Sequence, residues 1–167
     1  MLTNQQKNSH LLWRAGFGPS AAQLPQLGKL TPLQLFKDLQ KDAAKSPLYL
    51  DVTDDSLKSL FKSLQEDGVR QTMEREERRA IIRQAIQAVR DLNLLWLDEL
   101  VQTPAQLREK MAFFWHGHFT ARNQNVFYQQ QMLHLIRQHA LGSFRTLLHS
   151  VSKSAAMLNF LNAQQNR

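Results

Sequence analysis

Helix-starting residues recur along this chain, and nothing in it reads as a strand. Thr31 stands directly before Pro32 and Thr103 before Pro104, while Ser20, Asn125, Ser143 and Ser154 each precede residues at helical spacing. A hydroxyl or amide side chain at such a position satisfies a free backbone N–H of the first turn. Proline suits the first helical position because its missing N–H would have no partner there anyway. β-branched residues are scattered, and no apolar/polar alternation lasts six residues, so a sheet would have no register to use. The expected fold is all-α.

The spacing predicts a short helix over residues 9–14, ended by Gly16-Phe17-Gly18-Pro19, and a second from Ser20 that Pro25 limits. A third runs from Pro32 to about Ala44, followed by a loop over 46–53. Asp54 or Asp55 caps a helix to about Gln65, with Gly68 past its end. The longest element spans about 72–101, where Ile81, Ala85, Ala88, Leu92, Leu95 and Trp96 recur with helical period. Its charged start, 74–83, reads as a solvated face with Glu74 and Arg78 one turn apart. Thr103-Pro104 opens the next helix, Gln106 takes the capping-box position, and Gly117 ends it. Asn125 opens a helix closed by Gly142, Ser143 one to about Val151, and Ser154 a last one over about 155–163.

Seven to nine helices with short connections describe an irregular helical domain over 1–167, with a subdivision into 1–68 and 69–167. The expected core is Trp13, Phe17, Leu35, Leu92, Trp96, Met111, Phe114, Leu133, Ile136, Phe144, Leu147, Met157 and Leu161. The chain has no cysteine, which excludes disulfides, thiolate metal sites and thiol catalysis. No run approaches the roughly 18 apolar residues of a membrane span, and the polar start at 1–9 lacks a signal-peptide pattern. The compartment is not legible in these residues.

The net charge is +7, and its distribution says more than its size. All 14 acidic residues lie at or before Glu109. Residues 110–167 keep Lys110, Arg122, Arg137, Arg145, Lys153, Arg167 and five of the six histidines. Such a segment fits an anionic partner: an acidic protein, an acidic part of the same protein, an acidic lipid surface or nucleic acid.

The densest chemistry is Phe113-Phe114-Trp115-His116-Gly117-His118-Phe119. Imidazole binds divalent transition metals, so His116 and His118 are the candidate metal ligands. On a continuous helix the two sit about 200° apart and diverge, so convergence requires a break at Gly117. Two imidazoles are also fewer than the about three protein ligands of a catalytic zinc site. The bland alternative has both rings bonding carbonyls at the negative end of a helix. His134, His139 and His149 are weaker additions. The polar run at 123–131, with Arg122 and Tyr128, reads first as a hydrophilic helix start, second as a phosphate or sugar contact. The helices around Gly142 resemble a helix-turn-helix, but Arg145 and His149 offer few base-reading groups, which disfavours DNA. No phosphate loop, dinucleotide fingerprint, nucleophile elbow or His-Glu-x-x-His helix is present.

Three stretches stand in order along the chain: His10-Leu11-Leu12-Trp13-Arg14-Ala15-Gly16-Phe17-Gly18; Arg108-Glu109-Lys110-Met111 running on to Phe119; and Ala140-Leu141-Gly142-Ser143-Phe144-Arg145 followed by Ala155-Ala156-Met157-Leu158. Together they resemble a bacterial domain-of-unknown-function family, number 1800. The resemblance covers nearly the whole chain. It implies an N-terminal portion of a longer protein, continued by a glutamate-bearing helix, and it brings no settled activity. Asn162 stands where the resemblance leads one to expect an acidic residue.

Three functional expectations follow, the last and weakest of them nucleic-acid binding. In the first, His116 and His118 form half of a metal site in a metal-dependent enzyme, completed by a C-terminal region beyond Arg167. In the second, the chain is a helical interaction module that docks an acidic partner or domain through 110–167. A partial protein should also expose apolar surface and self-associate.

Overall fold

Capping chemistry sets most of the helix starts. The computed structural model describes residues 2–55, 57–59, 74–122 and 125–163. Helix α1 covers Asn4–Ala15 and α2 covers Pro32–Ala43, joined through a 3-10 turn at Leu24–Gln26. Then come α3 (Arg75–Gln102), α4 (Gln106–His118), α5 (Val126–His139), α6 (Phe144–Ser152) and α7 (Ala155–Phe160). The fold is all-α, with no strand among the described residues. No described helix is long and apolar enough to cross a membrane.

Thr31 caps α2 with a full capping box, and the side chains of Asn125 and Ser154 accept from Phe127 N and Met157 N. Three starts differ from the sequence reading. In place of the helix expected from Ser20 there is a turn leading into the 3-10 helix at Leu24–Gln26. Helix α1 begins five residues earlier than expected, because Thr3 and Gln6 form a second capping box within the polar N-terminus. Helix α4 begins at Gln106 with Ala105 at its cap. The Gln106 amide is drawn elsewhere: it donates to the carbonyls of Leu100 and Thr103 and accepts from Phe17 N. The helix expected from Asp54 or Asp55 is helical at 55 and 57–59; its remainder to Gln65, with Gly68 and Thr72, lies outside the described residues.

Helix α5 is the centre, packing on α3, α4, α6 and α7, while α1 and α2 pair and lie against α4. The main core joins Leu92, Trp96 and Leu100 of α3 to Ala112 of α4, Met132, Leu133 and Ile136 of α5, Leu147 and Val151 of α6, and Ala156 of α7. A second cluster joins Leu12, Ala15, Leu27, Leu35 and Leu39, with Leu107 bridging to α4. Buried Asn8 ties α1 to the segment before α2 by donating to the carbonyls of Leu27 and Leu30. Gly18 has φ 98°, and a Cβ there would lie 2.8 Å from the Trp13 ring, so the indole closes over a position that only glycine suits.

Of the expected core, Leu35, Leu92, Trp96, Leu133, Ile136 and Leu147 are buried, and Phe17, Met111 and Met157 are half-buried. Four are not core: Trp13 is 62% exposed, Phe114 48%, Phe144 55% and Leu161 63%. The reason is plainest on α4, whose apolar residues surround the helix. The face it turns inward carries Arg108, Glu109 and Ala112 instead of its aromatics.

Candidate functional site

The end of α4 carries the candidate histidines, and the helix does not break between them. It runs through Gly117 to His118, and Phe119 N closes it by donating to Trp115 O at 2.9 Å. Gly117 does not have the positive φ of a glycine stop; among the described glycines only Gly18 does. Thr120 Oγ1 donates to Gly117 O at 3.2 Å and covers one terminal carbonyl.

His116 and His118 consequently fall into different clusters. The His116 ring lies 5.1 Å from Trp96, which neighbours Phe113 at 6.0 Å; Phe113 in turn meets Phe17 at 6.2 Å. Lys110 Nζ sits 4.9 Å over the Phe17 ring. Burial holds the His116 pKa below the ordinary imidazole value, because the charged form loses water. His118 is exposed on the other side of the helix. Its Nδ1 lies 3.0 Å from Phe114 O, and its ring is 4.4 Å from Phe114 and 6.0 Å from Trp115.

The second cluster continues across to α6. Trp115 contacts Phe114 at 5.0 Å, Phe119 at 5.9 Å and Phe144 at 5.5 Å. Trp115 Nε1 donates to Ala140 O at 3.0 Å, which pins the end of α4 to the end of α5. Phe114 and Phe144 stand out from this anchored indole. Leu148, one turn after Phe144 on α6, is exposed as well. Arg145 beside Phe144 is an exposed cation.

The other histidines do not join either pair. His134 packs against Tyr49 at 5.2 Å, and its pKa is lowered by burial first, then by Arg137 and His139. His139 is half-buried, and His149 is exposed. No three His, Asp or Glu side chains gather as a metal cage among the described residues.

Sequence reasoning missed the most elaborate polar arrangement. Glu109, fully buried, accepts from Trp96 Nε1 at 3.1 Å, Arg108 Nε at 2.9 Å and Arg137 Nε at 2.9 Å. Arg137 also reaches Glu99 at 2.9 Å and donates to Leu48 O, and Arg108 donates to Lys45 O. Two arginines meet two glutamates, so the group is formally neutral, and it joins α3, α4 and α5 to the loop at 45–48. Arg137, counted above among cations awaiting an external acid, is thus neutralised within the chain. A signal was present: Ala105 and Ala112 share the Glu109 face, and both are buried. The partner 28 residues on could not be read from spacing.

Asn162 has φ 51°, a left-handed conformation that asparagine adopts more readily than most side chains, at the exposed end of α7. The position has a backbone role here whatever side chain stands there elsewhere. A family model described as "Protein of unknown function (DUF1800)" matches residues 10–167. No curated protein and no solved structure matches the chain.

Proposed function

The chain belongs to this family of unknown function, and because that description carries no activity, we propose its role from the geometry: the domain is a helical docking module for an acidic, apolar-faced polypeptide. The observation that carries the reading is the aromatic face at the ends of α4 and α6. Phe114 and Phe144 project from a cluster anchored by Trp115, within a segment, 110–167, that contains no acid. Exposed contiguous aromatics on an otherwise packed helix end mark an interaction surface. Neighbouring Arg145, with no carboxylate anywhere in the segment, favours a partner bearing glutamate or aspartate beside its apolar face. The buried ion network contributes by fixing α3, α4 and α5, so the face is preorganised before the partner arrives.

The test is a titration of tryptophan emission with two synthetic amphipathic helical peptides of identical leucine pattern, one carrying glutamates and the other lysines. The acidic peptide should bind, perturb Trp115, and weaken as salt rises. Equal binding of both peptides, or of neither, would overturn the reading. Stoichiometric zinc uptake abolished by replacing His116 and His118 with alanine would point instead to the metal-dependent alternative. A steep salt slope on duplex DNA would point to nucleic acid.

A further inference from the structure

The stretch that ends in Gly16-Phe17-Gly18 builds something the docking face does not use. It forms one wall of a cavity of about 560 Å³ between the end of α1, α2 and the end of α3. Gln106 Oε1 accepts from Phe17 N at 3.1 Å, Gly18 N donates to Leu12 O at 3.2 Å, and the Trp13 ring closes over Gly18. These contacts fix the wall within the fold itself. Leu12, Leu35, Leu39 and Leu100 give the cavity an apolar floor. Its volume falls in the range of about 300–1,000 Å³ that small-molecule sites occupy.

The rest of the lining concentrates negative charge. At about 100° per residue, Leu35, Asp38, Leu39 and Asp42 share an arc of about 100° on α2. Two carboxylates therefore stand on the face that buries two leucines, one turn apart, where like charges repel. Lys37 and Lys41 lie outside that arc. The end of α3 meets the same cavity, and its last turn carries no basic residue. Pro104 has no N–H, and Ala105 N donates to Thr103 Oγ1, so the last carbonyls of α3 lack the donors of a continuing helix. Gln106 Nε2 covers the carbonyl of Leu100, and the negative pole of the helix remains beside the cavity. Lys45 Nζ meets Asp42 Oδ1 at 2.7 Å, whereas Asp38 has no ion pair among the described residues. Lys110 Nζ is held over the Phe17 ring and does not line the cavity. Among the described residues no Lys, Arg or His lines it, in a chain whose net charge is +7.

We propose that this cavity binds an organic cation, a primary ammonium carried on a short aliphatic body. The ammonium lies toward Asp38, Asp42 and the negative end of α3, and the aliphatic body lies along the leucine floor. The floor offers no oxygen ligands to a hydrated metal ion, and the carboxylates repel an organic acid of the same size. The site is independent of the docking face, because it uses none of Phe114, Trp115 and Phe144.

The experiment titrates the full chain at low salt with three six-carbon probes, hexylammonium, hexanol and hexanoate. Binding is followed by calorimetry and by backbone amide shifts. Hexylammonium should saturate at one per chain, weaken as salt rises, and shift the amides of Leu12, Gly18, Leu39 and Thr103. Hexanol should bind less tightly and hexanoate not measurably. Asp38→Asn, at an exposed position, should keep the helical circular dichroism and weaken hexylammonium about fivefold, the scale of a half-exposed ion pair. Asp38→Lys should abolish binding, because a tethered ammonium then competes for the same place. Phe114→Ala with Phe144→Ala should leave hexylammonium binding unchanged, which separates this site from the docking reading. Hexanol or hexanoate binding as tightly as hexylammonium, no saturation by hexylammonium, amide shifts centred elsewhere, or undiminished binding in both Asp38 variants would each overturn the proposal.

Discussion

The two ends of α4 solve opposite problems. Its first half turns Arg108, Glu109 and Ala112 inward and matches each buried charge to a counter-charge or a carbonyl. Its last turn holds the largest aromatics of the helix and leaves Phe113 and Phe114 about half in water. A helix built only for internal packing would do the reverse, because burying a charge is costly unless it is fully paired, while burying phenylalanine is favourable. The difference separates the part of α4 that holds the fold from the part that leaves aromatic surface in water.

The comparison breaks most severely at Glu109. Replacing it with alanine leaves Arg137 and Arg108 buried without their shared carboxylate, and the variant should lose about 3–5 kcal/mol in urea unfolding. A loss below 1 kcal/mol, the size of a surface pair, would place the network outside the fold's essential contacts. Helix α6 supplies an internal control. Leu147 is buried and Phe144 exposed three residues earlier. Leu147→Ala should cost about 2–5 kcal/mol, and Phe144→Ala less than about 1 kcal/mol despite removing the larger side chain.

The smallest effect is a pH dependence. Burial lowers the folded-state pKa of His116, and His134 shifts the same way. Below about 6.5 the unfolded chain takes up these protons more readily than the folded one, so stability falls as pH drops through that value toward the lower folded pKa. Above that window the dependence disappears. Thermal midpoints followed from about pH 7.5 to pH 5.5 should decline in the wild type and decline less in His116→Gln. An unchanged slope in the variant would mean that His116 is not buried enough in solution to matter.

Much of this was legible in the sequence, and the remainder was hidden for physical reasons. Thr31-Pro32, Asn125 and Ser154 announce helix starts because capping is settled within a turn. Leu92, Leu133, Ile136 and Leu147 were found by period alone. Period failed on α4, where apolar residues encircle the helix and only tertiary contacts decide which of them is covered. The Glu109–Arg137 pairing is tertiary in the same sense. At His116 and His118 the local rule misled in another way: a glycine permits a helix to stop but does not compel it. The continuous helix through Gly117 carries the two rings into separate aromatic clusters.

The most direct test of the central claim compares stability with binding in one variant, Phe114→Ala combined with Phe144→Ala. The account predicts an unfolding free energy within about 1 kcal/mol of wild type and no measurable binding of the acidic peptide. A variant that loses stability on the scale of a core deletion, about 3–5 kcal/mol per phenylalanine, yet still binds the peptide would contradict it, because the aromatics would then hold the fold and not the partner.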